Sequence, residues 1–269
     1  MICVSVTGPE PADALKTIER SARTADAVEL RMDMIAAGDL PQLLAAVRRA
    51  SGRVLVIVTC RRSEESPGAA AEEKAGVRKA RTKAAKMKRL KEAITLGADF
   101  VDIELAEGEK AIRELQAFRR RQKSATGLIV SWHDVFKTPS LRRLKDIFHF
   151  CERMTPDIIK IVTRARKAED NLKILGLIPY ARSRNRKIIA MCMGEAGKLS
   201  RAMAPFLGSY LGFAVPPGGR ASAPGQLSLE SMRKIHELLE ESERPFRTAH
   251  TPSEALNLVL LGNPVRQSL

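Results

Sequence analysis

The chain has 269 residues, 46 lysines and arginines against 31 acidic residues, a formal net charge of +15, and a composition that is 44% hydrophobic and 29% charged. Such a chain buries a sizeable core, which excludes intrinsic disorder, and no apolar run approaches the roughly 18 residues of a membrane span. Met1 leads straight into Ile2, Cys3 and Val4 with no basic n-region or long apolar h-region, so no secretory signal is expected and a cytoplasmic location is.

In chain order, short β-branched runs predict strands over residues 2–7, 27–31, 54–59, 100–105, 128–131, 158–162, 187–191 and 210–215. Helical spacing lies between them, as in Leu40, Leu43, Leu44 and Val47, or in Leu172, Leu175 and Ile178 on one predicted face. Most of the runs are apolar almost throughout, the pattern of parallel strands covered on both faces. Eight such alternations predict an α/β fold, a closed (β/α)8 TIM barrel over residues 1–242, with a C-terminal tail over residues 243–269. An open doubly wound sheet has the same alternation, but it usually carries a glycine-rich phosphate loop after an early strand, and none is present here.

Cys3, Cys60, Cys151 and Cys192 are far apart with no C-x-x-C pair, which reads as four reduced thiols and no zinc site. Residues 74–91 hold nine lysines and arginines and no acid on a stretch of strong helix propensity. The stretch reads as the solvated face of the helix after the third strand. It lacks the aromatic residues of a single-strand nucleic-acid platform, so no nucleic-acid partner is expected.

In a parallel barrel the C-terminal strand ends share one rim, and ionisable residues gather there: Glu29 and Arg31, Arg61, Glu104, His133 and Lys160. Lys160, within Ile158-Ile159-Lys160-Ile161-Val162, places an ammonium in a strand expected to be buried on both faces. Burial of that kind lowers an amine below its free pKa of about 10.4, and a neutral amine attacks carbonyls. His133 is placed to move protons beside it. Arg31, Arg61 and Arg201 supply fixed positive charge suited to a carboxylate. A loop at Ser222-Ala223-Pro224-Gly225-Gln226 has the composition of a lid as well as of an ordinary surface turn.

These segments resemble those of type I 3-dehydroquinate dehydratases. The motifs are E-L-R-M-D (29–33), T-C-R (59–61), V-D-I-E-L (101–105), S-W-H-D (131–134), D-I-I-K-I (157–161), M-C-M-G-E-A-G-K-L-S-R (191–201) and S-A-P-G-Q (222–226), in that family's order. The resemblance implies a (β/α)8 barrel that dehydrates 3-dehydroquinate to 3-dehydroshikimate in the shikimate pathway, without a metal or organic cofactor. It implies Lys160 as the imine-forming nucleophile, His133 as general acid and base, and Glu65 as the acid that orients the histidine. It implies substrate contacts from Arg201, Ser222 and Gln226 to the carboxylate side, from Glu29, Arg31 and Arg61 to the ring hydroxyls, and a further polar contact from Ser5. Asp134 and Glu104 are expected to support rather than participate, and a homodimer is the expected assembly. Residues 261–269, L-G-N-P-V-R-Q-S-L, resemble the opening of a shikimate dehydrogenase domain.

Two other readings stand beside this one. Another Schiff-base barrel of the class I aldolase type would also use a lysine on the sixth strand. A basic RNA-binding protein would account for the charge but leaves Lys160 and His133 unexplained.

Overall fold

A computed structural model describes residues 1–8, 10–35, 38–61 and 82–248, with side chains described through residue 241. Eight strands form one parallel sheet: β1 Ile2–Gly8, β2 Ala27–Ile35, β3 Leu55–Thr59, β4 Phe100–Glu104, β5 Gly127–Asp134, β6 Ile158–Arg164, β7 Ile188–Met193 and β8 Gly212–Ala214. From β1 to β7 each strand pairs with the next in sequence, and β1 pairs with β8, giving the order β7-β6-β5-β4-β3-β2-β1-β8. No ladder joins β7 to β8. The gap is bridged by the Tyr210 amide donating to the Ile188 carbonyl at 2.7 Å and by Ser209, whose hydroxyl accepts from the Ala190 amide. The sheet is thus the expected TIM barrel, nearly closed.

The helices described are α1 Pro11–Ser21, α2 Leu40–Ala50, α3 Lys83–Thr95, α4 Glu109–Arg121, α5 Leu141–Arg153, α6 Asp170–Leu175, α7 Leu177–Ser183, α8 Lys198–Met203 and α9 Leu229–Thr248. Their apolar faces follow the helical period. Leu144, Ile147, Phe148 and Cys151 of α5 are buried against the barrel, and Ser140 caps that helix by accepting from the Arg143 amide. Each such side chain contributes about 1.5–3 kcal/mol by leaving water. One predicted face fails: Gly176 divides α6 from α7, so Leu175 and Ile178 are buried while Leu172 points outward at 66% exposure.

The chain divides into two compact units, Met1–Met232 and Arg233–Leu269. The barrel and its site lie in the first. Of the second, α9 continues to Thr248, and residues 249–269, including the segment that resembles a dehydrogenase opening, lie outside the described residues. No helix among the described residues is long and apolar enough to cross a membrane. The four cysteines are free thiols, and burial pushes those of Cys60 and Cys151 up to about 12.

The basic segment is less solvated than its composition suggests. From Thr82 on it forms α3, where Lys86 is buried and pairs with Glu107 at 2.8 Å, and Lys91 pairs with Glu114 of α4 at 2.6 Å. Acids from the following element neutralise part of a run that contains none of its own.

The barrel interior changes character along its axis. Cys3, Ala27, Ile57, Ile129, Ile158, Ile189, Leu211 and Phe213 belong to one apolar cluster inside the strands. Two residues further along several strands the inward positions turn polar. The ladders pair Ser5 with Glu29, Arg31 with Thr59, Thr59 with Asp102, Glu104 with Ser131, and Ser131 with Lys160. Period-two alternation therefore delivers a plug of apolar side chains below and a layer of charge above it.

Candidate active site

A pocket of about 470 Å³, counted out to its mouth, opens over that charged layer. Ser5, Glu29, Arg31, Arg61, His133, Lys160, Arg201, Ser222 and Gln226 all line it. Glu65 lies outside the described residues.

Lys160 projects from the middle of β6 and is 3% exposed. Its Nζ lies 2.9 Å from Asp102 Oδ2, 3.5 Å from Glu29 Oε1, and 4.4 Å from the centre of the Phe213 ring. The apolar run around it in sequence had suggested an ammonium without partners. The neighbouring strands change that, because β2 and β4 turn carboxylates toward the same layer. The Glu29 carboxyl, which burial would raise, is lowered to about 2 by the charges of Lys160, Arg31 and Arg61 and by the Ser5 hydroxyl, which donates to Oε2 at 2.7 Å. Thr59 donates to its other oxygen at 2.8 Å. Asp102 is likewise held low by Lys160 and Arg61 against its burial.

His133 stands two residues beyond Ser131 on β5, which runs on to Asp134, further than the sequence pattern had it. Its Nδ1 lies 2.8 Å from Glu104 Oε2 and 2.9 Å from Arg61 Nη1. Burial and the charges of Arg61 and Lys160 push the imidazole well below 6.5, so it is neutral near pH 7. Burial and the nearby Asp102 push Glu104 up to about 7. Both neutral tautomers fit these contacts: with Nδ1–H donating to Glu104 the lone pair of Nε2 is available to a ligand, and with Nδ1 accepting from Arg61 the proton lies on Nε2. Glu104 contacts His133 at Nδ1 from the neighbouring strand. Asp134 instead accepts from the Phe136 and Lys137 amides and shapes the turn after β5.

Arg61 bridges Asp102 at 3.2 Å and Glu104 at 3.1 Å, while Arg31 forms a double contact with Asp33, the shorter at 2.6 Å. Arg201 is the exception. It is 2% exposed, no carboxylate among the described residues lies within ion-pair distance, and its Nε has no partner among them. Its nearest polar contacts are Met191 Sδ at 3.5 Å and the Pro224 carbonyl at 3.4 Å, and burial lowers it to about 10. A buried guanidinium without an anion is costly unless a ligand supplies one.

Beside it, Gln226 Oε1 accepts from the Ser222 amide at 2.7 Å and the Ser222 hydroxyl at 3.3 Å, which leaves the Gln226 amide hydrogens as donors. The loop is locked to its neighbour. Gly225 has φ +77°, and a Cβ there would sit 2.1 Å from the Gly194 carbonyl oxygen, while the Gly194 amide donates to the Pro224 carbonyl at 3.0 Å.

The family described as Type I 3-dehydroquinase matches residues 2–243. The chain belongs to that family. The 3-dehydroquinate dehydratase of Methanococcus maripaludis strain C5 is 37% identical over 243 residues, covering 89% of this chain and all of that one. The crystal structure of 3-dehydroquinate dehydratase from Geobacillus kaustophilus HTA426 superposes with a TM-score of 0.77 at 26% identity, over 90% of this chain and 92% of that one. The structure described as dehydroquinate dehydratase and shikimate dehydrogenase from S. pombe matches 89% of this chain with 44% of its own, at 25% identity and a TM-score of 0.69. This type I dehydroquinase is accordingly a hydro-lyase with a TIM-barrel fold.

Several site residues were not singled out from the sequence: Asp102, Asp33, Thr59, Val162, Met191, Met193 and Phe213. The signal for most of them was available. Glu29, Arg31 and Asp33 share a strand face at spacing two, as do Asp102 and Glu104, so one inward polar residue marks the next.

Proposed function

We propose that the chain converts 3-dehydroquinate to 3-dehydroshikimate and water through an imine on Lys160. The observation that carries the reading is the pairing of two unlike groups in one pocket: a buried amine among carboxylates, and a buried guanidinium with no carboxylate partner among the described residues. Arg201, with Ser222 and Gln226, binds the substrate carboxylate. This orients the C3 ketone toward Nζ of Lys160. Glu29, Arg31 and Arg61 meet the ring hydroxyls, and Ser5 acts through Glu29, to which it donates.

Attack by the neutral amine forms a carbinolamine, and loss of water gives the iminium, which acidifies the C2 hydrogen. His133 Nε2 takes that proton, then returns it to the departing C1 hydroxyl in a syn elimination. Glu65 is assigned a role in orienting His133. Hydrolysis of the product imine frees Lys160. No step calls for a metal or an organic cofactor. The cytoplasm is the assigned compartment and a homodimer the assigned assembly.

The class I aldolase alternative shares the lysine, but the S-A-P-G-Q segment and the histidine on the preceding strand favour the dehydratase. The test is to add 3-dehydroquinate and follow the conjugated product by its absorbance, then repeat with borohydride and map the modified peptide. Product formation and a single adduct on Lys160 are expected. An adduct on any other lysine, or no product, overturns the reading.

A further inference from the structure

The amine of Lys160 and the imidazole of His133 are joined by hydrogen bonds that run behind the pocket rather than through it. Lys160 Nζ donates to Asp102 Oδ2 at 2.9 Å; Ser131 Oγ lies 2.5 Å from Asp102 Oδ1 and 2.9 Å from Glu104 Oε2; Glu104 Oε2 lies 2.8 Å from His133 Nδ1. Ser131 is fully buried, does not line the pocket, and has no task in the mechanism above. Its hydroxyl has a carboxyl group on each side but only one proton to give. Arg61 donates to both carboxyls, at 3.2 Å to Asp102 and 3.1 Å to Glu104, but the Ser131 proton can go to only one of them at a time, so its orientation ties the ionisation of one to that of the other.

We propose that Ser131 is a positioning residue, the centre of a relay from Lys160 through Asp102, Ser131 and Glu104 to His133 that moves the proton of the amine to the histidine. The proposal rests on the imine reading of the site. At rest, Asp102 is the carboxylate facing the ammonium and receives the Ser131 hydroxyl. Glu104 holds a proton, and His133 Nδ1 accepts from Arg61 Nη1 at 2.9 Å, with its own proton on Nε2.

When the amine is called on, an N–H bond of Lys160 breaks and an O–H bond forms at Asp102 Oδ2. The Ser131 hydroxyl turns to Glu104, and Glu104 passes its proton to His133 Nδ1. As the Nζ–C3 bond forms, the ketone π pair takes the proton from Nε2. One proton has entered at Nζ and one has left at Nε2, with no change of oxidation state. His133 is left with Nδ1–H and a free Nε2 lone pair; Nε2 takes the surplus proton from Nζ of the carbinolamine and gives it to the hydroxyl, which departs as water, so the same tautomer is restored at the iminium and is the one that removal of the C2 proton requires. The first half-reaction thereby prepares the base for the second.

The charged groups that face this relay are Glu29 and Arg31 from β2, Arg61 following β3, Asp102 and Glu104 from β4, His133 from β5 and Lys160 from β6. Ser131→Ala leaves all of them in place and removes the shared proton. The test measures kcat and KM against pH for the wild type and this variant with 3-dehydroquinate, together with borohydride trapping. A drop in kcat of about 10- to 100-fold is expected, with KM within about twofold and the adduct on Lys160 still formed. The acid limb of the kcat profile is expected to move toward higher pH, because Asp102, which the relay needs as a carboxylate, loses a donor that favours its charged form. Ser131→Cys, which keeps a weak donor in the same place, should return the limb part of the way. A uniform loss of rate with an unmoved limb, or wild-type behaviour, overturns the relay. If Ser131→Ala does not fold, the Cys variant carries the test, and an unmoved limb there overturns it equally. A wild-type protein that traps no adduct on Lys160 would overturn the imine reading itself, a result distinct from any of these.

Discussion

The two walls of the pocket hold their charge in opposite ways. On the side built by β2 to β6, every buried cation has an acid beside it: Arg31 has Asp33, Arg61 has Asp102 and Glu104, and Lys160 has Asp102 and Glu29. On the side built by β7, β8 and the loops that follow them, Met191, Met193, Phe213 and Ala223 line the pocket together with a guanidinium for which no acid is found among the described residues. The compensated wall fixes positions, because each charge is held by partners on other strands. The uncompensated wall has a vacancy for negative charge, and so it is the wall that specifies what the ligand must bring.

The comparison is tested most severely at Lys160. Lys160→Ala should bring dehydration to background and abolish the borohydride adduct; residual turnover above background would move the chemistry to another group. His133→Ala should still form the imine yet lose dehydration by ~10²–10⁴-fold, since proton transfer at C2 and at the leaving hydroxyl both depend on it. Single-turnover trapping separates the two steps.

Two arginines then divide the walls directly. Arg61→Ala strands Asp102 and Glu104 together in the interior and should cost about 3–5 kcal/mol of stability in denaturant titrations. Arg201→Ala strands nothing, so stability should be unchanged or higher, while kcat/KM falls by about 1.5–3 kcal/mol, the worth of a hydrogen bond to a charged group. Equal effects on stability from the two variants would erase the distinction between the walls.

The compensated wall also has a pH signature. The Glu29 carboxyl titrates near 2 in the folded protein against 4.5 for an ordinary glutamate, so between those values the unfolded chain binds the extra proton. Its contribution to stability is therefore complete above about pH 4.5 and is lost as pH falls toward 2, on the order of 2–3 kcal/mol. Acid titration of Glu29→Gln against the wild type should show a stability gap that closes over this interval. A gap independent of pH would show that the loss is one of packing.

The smallest effect is expected from α3. Neutralising Lys83, Lys88 and Lys91 should leave kcat nearly unchanged and lower kcat/KM mildly, with the difference fading at high salt, if the helix only adds to a field that draws an anionic substrate. Tight, salt-sensitive binding of the unaltered protein to RNA, abolished by the same substitutions, would point to a nucleic-acid partner instead.

Much of this was legible in the sequence because a parallel barrel converts strand ends into a common rim. Eight apolar runs and the polar residue closing each one located Glu29, Arg31, His133 and Lys160 before any contact was known. What the sequence withheld was partnership. Nothing within Ile158-Ile159-Lys160-Ile161-Val162 announces that Asp102, 58 positions earlier, reaches the same amine, because that contact depends on the stagger of β4, β5 and β6. Asp102 itself sits in the V-D-I-E-L motif, but its inward direction follows only once Glu104 is known to face the pocket. The isolation of Arg201 was equally hidden, since the absence of a neighbour is a property of the packed structure. The split between α6 and α7 at Gly176 was missed for a local reason: the apolar spacing continues across a break in the helix.

The gap in the ladder between β7 and β8 gives the barrel a preferred place to open. Every other strand junction is stitched by a ladder of pairings, whereas this one relies on the Tyr210 amide, the Ser209 hydroxyl and, above them, the contact of Gly194 with Pro224 and Gly225. Sub-global opening proceeds where the fewest backbone bonds must break, so amide hydrogen exchange should be fastest along β8 and its flanks and slowest along β2 to β6. The elements released first are those that carry Arg201, Ser222 and Gln226. A bound carboxylate ties these three together across the seam, so an anionic ligand should slow exchange at Tyr210 and Gly194, which it does not touch.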